Sequence, residues 1–301
     1  MKITKASIPA VLVFMALSGC FNQKNGIYIE RYEDGTPRAE LSWKEGSLDG
    51  VSRWYYPDGA KKAEVPFSQG KRHGVELLFN KNGSRSHQIA WKHGIRDGVE
   101  LRWFDNGRIQ TSIPWASGNI SGIMVIWDEN GRMRSERTYL DGKPNGPSTY
   151  YDDNGRKQLA ATFEDGYQHG PAQWFAEEGY LRRSLSFAEG KEQGAEVIYY
   201  PGGAKRGERQ WSQGMKSGPA MMWYENGAKM CEAVWDSDTL VGQVIWWSRH
   251  GRQLKEAPLA EGGTMGMEAL WNETDLSVPD DIKHAELSSG STNRSMSKRP
   301  R

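Results

Sequence analysis

Apolar and polar residues alternate in short runs along most of this chain, and the pattern restarts every 24 residues. Residues 51–74, VSRWYYPDGAKKAEVPFSQGKRHG, hold two such runs separated by turn-forming residues, each too short for a helix of three turns. Runs of that length predict strands. One slot is aromatic in every repeat, at Tyr55, Phe79, Trp103, Trp127, Tyr151, Phe175, Tyr199, Trp223, Trp247 and Trp271. The slot before it is apolar from Trp54 to Trp246 and Leu270, with Arg102 its one polar member. A third ring slot runs from Trp43 through Phe67, Trp91 and Trp115 to Trp235. Adjacent strand residues point to opposite faces, so each repeat puts a large apolar group on both sides of its sheet. A single-layer meander accounts for this, its rings covered on each face by stacking against neighbouring strands.

Glycines mark the corners. Gly35, Gly59, Gly83 and their successors to Gly251 keep the 24-residue step, as does a second series from Gly46 to Gly214 that breaks at Asp238 and returns at Gly262. A third series runs from Gly26 and Gly50 to Gly266. The first series is preceded mostly by Asn or Asp, as at Asp58, Asn82 and Asn106, which predicts a tight hairpin turn with positive φ. The second corner, as in Gln69-Gly70-Lys71-Arg72-His73-Gly74, predicts a wider loop. No insertion interrupts the period between residues 26 and 272, as expected where each unit stacks on the next. The expected fold is therefore all-β: an elongated single-layer antiparallel β-meander of about ten 24-residue hairpin repeats over residues 26–272. With strands about 4.8 Å apart, ten such units would extend on the order of 100 Å before twist shortens them.

Composition agrees: 37% hydrophobic residues and a mean hydropathy of −0.74 are low for a 301-residue globule, whereas 11% aromatic residues suit ring stacking. The two ends depart from the pattern. Residues 1–19 carry Lys2 and Lys5, then an apolar run from Ile8 to Leu17, which reads as a secretory signal peptide too short to span a bilayer comfortably. Leu17-Ser18-Gly19-Cys20 resembles the bacterial lipobox; that resemblance implies cleavage before Cys20, lipid on its sulfur and residues 20–25 as a linker. A plain signal peptide or an uncleaved anchor is the alternative. Several acyl chains hold a protein firmly at about 0.8 kcal/mol per buried methylene, so the expected location is the cell envelope, at the outer membrane if the host has two. Loss of residues 1–19 removes two lysines and takes the formal charge from +1 to about −1, and nothing points to a nucleic-acid partner. Residues 273–301 are polar and poor in aromatics, which predicts a disordered tail.

Little in the chain suggests catalysis. With Cys20 lipidated, Cys231 is the remaining thiol, in a strand slot held elsewhere by Ala63, Thr111, Ser135 and Leu159, and it reads as filler. His73 and His169 share a loop slot with Asp49, Asp97, Asn145, Gln193 and Ser217; a slot that accepts all of these is a turn position. No two histidines have the i, i+4 spacing of a helical metal site. Carboxylates beside turns, such as Asp152, Asp153, Glu177 and Glu178, could hold calcium weakly but do not recur as the rings do. No nucleophile elbow or phosphate loop is present, and no metal or cofactor is expected.

Residues 150–170, YYDDNGRKQLAATFEDGYQHG, resemble the MORN repeat, in the variant found in bacterial proteins labelled YwqK-type antitoxins. The resemblance extends over residues 26 to about 272. It implies an elongated β-hairpin scaffold that contacts proteins and sometimes membranes, with no catalytic residue, and the antitoxin label implies neutralising a partner by binding. Choline-binding and YD repeats share parts of the unit but run at shorter periods. The expected function is a non-catalytic, membrane-anchored scaffold for a protein partner, with Trp103, Trp127, Trp223, Trp246 and Trp247 as candidate contacts. The alternative is a cell-wall or carbohydrate binder, since flat rings also suit sugars.

Overall fold

The computed structural model describes residues 23–254 and 264–272. The expected signal peptide, Cys20 and the tail from residue 273 lie outside the described residues. The chain divides after Ile95 into two units, and each is built from antiparallel hairpins at the 24-residue period. In the first unit Gly50–Tyr55 pairs with Lys61–Ser68; in the second the same hairpin recurs from Gly98–Trp103 with Ile109–Ala116 to Met215–Trp223 with Lys229–Asp236.

The corners form in the reverse of the expected manner. At the first corner Gly59 N–H donates to Tyr56 O at 2.9 Å and Tyr56 N–H to Ala60 O at 2.8 Å. Gly59 has φ 84°, while Asp58 keeps an ordinary negative φ and accepts the Ala60 N–H on its Oδ1 at 3.0 Å. This is a three-residue turn closed by a glycine bulge. The tight turn is the second corner, where Gln69 (φ 49°) and Gly70 (φ 78°) both occupy the left-handed region, as a two-residue type I′ turn requires. Glu45, His93, Ser117 and Asp141 repeat that conformation.

Non-glycine residues in the left-handed region cost about 1–2 kcal/mol each, and contacts between repeats offset this. Gly70 N–H donates to Leu48 O at 2.8 Å, and Gly118 N–H to Arg96 O at 2.9 Å. The turn-slot side chains accept the N–H beside it: Asp49 from Gln69 at 3.1 Å, His73 Nδ1 from His93 at 3.4 Å, Asp97 from Ser117 at 3.2 Å and Gln193 from Gln213 at 3.0 Å. The slot tolerates Asp, His and Gln because each offers an acceptor. At the broken glycine position, Asp238 N–H donates to Lys216 O at 3.0 Å and its carboxylate accepts the Lys216 N–H at 2.8 Å.

The third glycine sits at a bulge. Phe67 lies opposite Arg72 but Ala63 lies opposite Leu78, so four steps on one strand meet six on the other. Gly74 has φ 107°, and a Cβ there would lie 3.1 Å from Pro66. Such bulges increase local twist. Across the regularly paired side of the same strands, rings meet on one face, as with Trp54 and Phe67 at 6.3 Å and Trp174 and Phe187 at 6.4 Å.

Burial is correspondingly one-sided, unlike the two-sided covering expected from the pattern. Ala63, Val65 and Ile89 in the first unit are buried, as are Ile113, Met124, Leu159, Trp174 and Leu185 in the second; all face the side of Trp54 and its equivalents. The opposite face keeps its rings half-buried. The end of the pattern also differs from expectation: Thr264–Asn272 is a helix, although Leu270 and Trp271 keep the ring slots' spacing. Its sequence, TMGMEALWN, favours a helix, and Met267 and Trp271 pack on Ile198, Met222, Cys231 and Trp246. Gly207 stands where other repeats carry a side chain; a Cβ there would lie 2.7 Å from the Trp271 ring.

Candidate binding surface

The buried face carries charge in a recurring arrangement. Trp91 donates its indole N–H to Glu76 at 2.7 Å, and Arg72 lies over that indole at 4.8 Å. Trp115 donates likewise to Glu100 at 3.0 Å, with Arg96 over its ring at 4.7 Å and Arg102 paired to Glu100 at 2.8 Å. The third instance lies under the helix: Trp211 donates to Glu196 at 2.6 Å, Arg183 pairs with Glu196 at 2.7 Å, and Arg209 bonds it while lying 4.4 Å from the Trp271 ring centre. Burial alone would raise the Glu196 carboxyl, but Arg183 and Arg209, with hydrogen bonds from Arg209 and Trp211, outweigh it and hold the group below its usual range. In each instance the glutamate is held by an indole and by arginines of its own or neighbouring strands.

Cys231 is fully buried in the cluster beneath the helix, and burial pushes its thiol up to about 12. It is therefore uncharged and unreactive near neutrality. His73 has its role in the turn ladder. Among the described residues no group of three or more His, Cys, Asp or Glu side chains is placed to hold a metal ion.

The five tryptophans singled out by the sequence separate into three situations. Trp246 is a correction: it points to the buried face, 5% exposed, in the core under the helix, because it occupies the slot before the invariant ring. Trp223 and Trp247 lie half-buried on the open face, but lysines cover them, Lys205 at 5.5 Å and Lys229 at 4.8 Å. Those ammonium groups are paired to Glu208 and Glu232, which fixes them over the rings. Trp103 and Trp127 have a different setting. Trp103 lies opposite Ile109, Val99 opposite Pro114, and Ser112 between Leu101 and Val125. The result is an apolar area, bordered by Glu136 opposite Val125, in which Val99 is 47%, Ile109 39% and Ile123 51% exposed. At its turn end an open depression of about 390 Å³ is lined by Trp103, Phe104, Asp105, Asn106, Gln110 and Glu129.

The exposed aliphatic residues belong to a slot that the ring pattern does not reveal. It holds Ile27, Val51 and Val75 in the first unit, 43–68% exposed, and Val99, Ile123, Pro147, Pro171, Ala195 and Pro219 in the second. No member is charged, in a chain with 26% charged residues. Its signal in the sequence is the residue directly after the third glycine, apolar at every repeat from Ile27 to Pro219.

Comparison with known proteins gives a short match. Residues 48–69 match the family described as MORN repeat variant, which covers one hairpin of the series. No curated protein matches the chain. Among solved structures the chain is similar to one in the crystal structure of TcdB2-TccC3-Cdc42, at 10% identity over 74% of this chain and 13% of that chain, with a TM-score of 0.17. The chain thus spans about 13% of the length of that protein, and a likeness of this degree carries no argument about fold or role.

Proposed function

We propose that this protein is a non-catalytic MORN-type scaffold that binds a protein partner through the apolar area around Trp103, Ile123 and Trp127. The observation that carries this reading is the contiguous exposed apolar area formed by Val99, Ile109 and Ile123 with two half-buried indoles beside it. Aromatic anchors within an apolar patch are the usual composition of an interface core. The match at residues 48–69 supports repeats of a binding kind, and the Glu76, Glu100 and Glu196 carboxylates of the buried face are taken up by indoles and arginines. Cys20, by its lipobox-like context, would tether the scaffold to a membrane of the cell envelope, and an antitoxin-like role would consist of occupying a partner at this face. A sugar ligand is less well served, since lysines already lie over Trp223 and Trp247.

Crosslinking in cells tests this. A photoreactive residue at position 109 of the tagged full-length protein should capture one enriched protein, and adding Val99→Asp with Ile123→Asp should abolish capture without lowering the melting temperature. Capture that persists in the double variant, or that yields wall polymer and no protein, would overturn the reading. A Cys20→Ser control reports separately on the anchor: retention of that variant in the membrane fraction would remove the tether.

A further inference from the structure

The first strand, Gly26–Arg31, is exposed at all six residues, with Ile27 68%, Ile29 50% and Tyr28 40% exposed. Its counterpart one repeat on, Gly50–Tyr55, pairs on both sides, with Lys61–Ser68 and with Pro37–Lys44. Among the described residues Gly26–Arg31 pairs with Pro37–Lys44 alone. Tyr32 N–H donates to Thr36 O at 2.9 Å, and alternate residues of an antiparallel strand turn their N–H and C=O to opposite sides. Ile27, Ile29 and Arg31 therefore present theirs to the open edge. Arg53, the counterpart of Ile29, lies opposite Glu40 on that side. The strand contains no proline to blunt the edge, and such edges template pairing with another chain.

We infer that a second copy of this chain pairs with this edge, antiparallel, about a two-fold axis at Ile29. Three features select that occupant. The outward-facing groups at Ile27, Ile29 and Arg31 are symmetric about Ile29, so this register uses all of them: Ile29 meets itself and Ile27 meets Arg31. The same register sets Tyr28 opposite Glu30, with no like charges facing within the strand, which is the self-complementarity an isologous contact requires. The 24-residue signature does not extend before Gly26, since the slots one period before Gly35, Trp43 and Gly46 hold Val11, Gly19 and Asn22. Ile27 and Ile29 of both copies then form one apolar cluster on the open face. A seam of one strand per copy falls below the roughly 1,200 Å² of a standard interface, so the association depends on concentration, and tethering to a common membrane would strengthen it.

Disulfide trapping and sedimentation of the purified soluble chain, carrying Cys20→Ser, test this independently of any other partner. Ile29→Cys, with Cys231 buried, should give a dimer that reductant reverses, while Arg53→Cys in the paired strand should stay monomeric. The chain with Ile29 intact should show a reversible monomer–dimer equilibrium. Ile29→Pro, which removes an N–H facing the edge and none within the hairpin, should be monomeric, as should Ile29→Lys, which requires no change of backbone. Equal trapping of the two cysteines, or a monomer at every concentration with Ile29 intact, would overturn the inference.

Discussion

Glu100 and Glu196 occupy the same slot of their repeats, each accepts an indole N–H from fifteen residues on, and each is 1% exposed at the side chain. Their partners differ. Arg96 and Arg102 beside Glu100 are 37% and 39% exposed, whereas Arg183 and Arg209 beside Glu196 are 17% and 9% exposed. The helix Thr264–Asn272 accounts for much of the change: Trp271 donates to Glu196 at 3.3 Å, and Glu268 pairs with Lys216 at 2.9 Å and Arg209 at 3.6 Å. One repeated slot thus gives a rim-type ion pair in one place and a sealed ionic cluster in another. The repeat fixes the geometry of the pair, and what lies above it fixes the energy.

The largest effect should separate the two glutamates. Glu196→Gln leaves two poorly hydrated guanidiniums without their carboxylate and should cost about 3–5 kcal/mol. Glu100→Gln, whose arginines can turn to water, should cost about 1–2 kcal/mol. Urea denaturation of both variants checks this, and equal losses would mean that the helix does not seal the cluster. Next in size is the interlock beneath the helix. Gly207→Ala places a methyl against the Trp271 ring and should cost about 1–3 kcal/mol, recovered in part by Trp271→Leu; the double-mutant cycle measures that coupling. The smallest effect concerns pH. The folded-state pKa of Glu196 is depressed, so its contribution is present above the ordinary glutamate pKa of about 4.3 and is lost as pH falls through the folded value. The stability gap between the unsubstituted protein and Glu196→Gln should close at acid pH, and a gap that persists there would contradict the electrostatic account.

Much of this architecture can be read from residue spacing. The ring slots, the period and the repeat boundaries from Gly26 through the hairpin ending at Asp236 lie where the pattern places them. The corners were less legible, because Asn-Gly and Asp-Gly suit either a type I′ turn or a three-residue turn with a glycine bulge. Gln69 and Glu45 at positive φ carry no local signature at all; their conformation is held by hydrogen bonds from the preceding repeat. Trp246 and Trp247 adjoin in sequence yet face opposite sides, and only their surroundings distinguish a core ring from a surface one. Trp271 kept its spacing but lost its strand, since Met267 and Trp271 are buried together from one helix.

By itself the sequence determined that this chain is a series of antiparallel hairpins with rings on both faces, because turn glycines and a side-chain period of two leave few other solutions. The tertiary structure decided which face became the core, which glutamate was sealed and which tryptophans stayed open to a partner. Those outcomes depend on packing between neighbouring hairpins and on the helix Thr264–Asn272, and both act through contacts that no single repeat encodes.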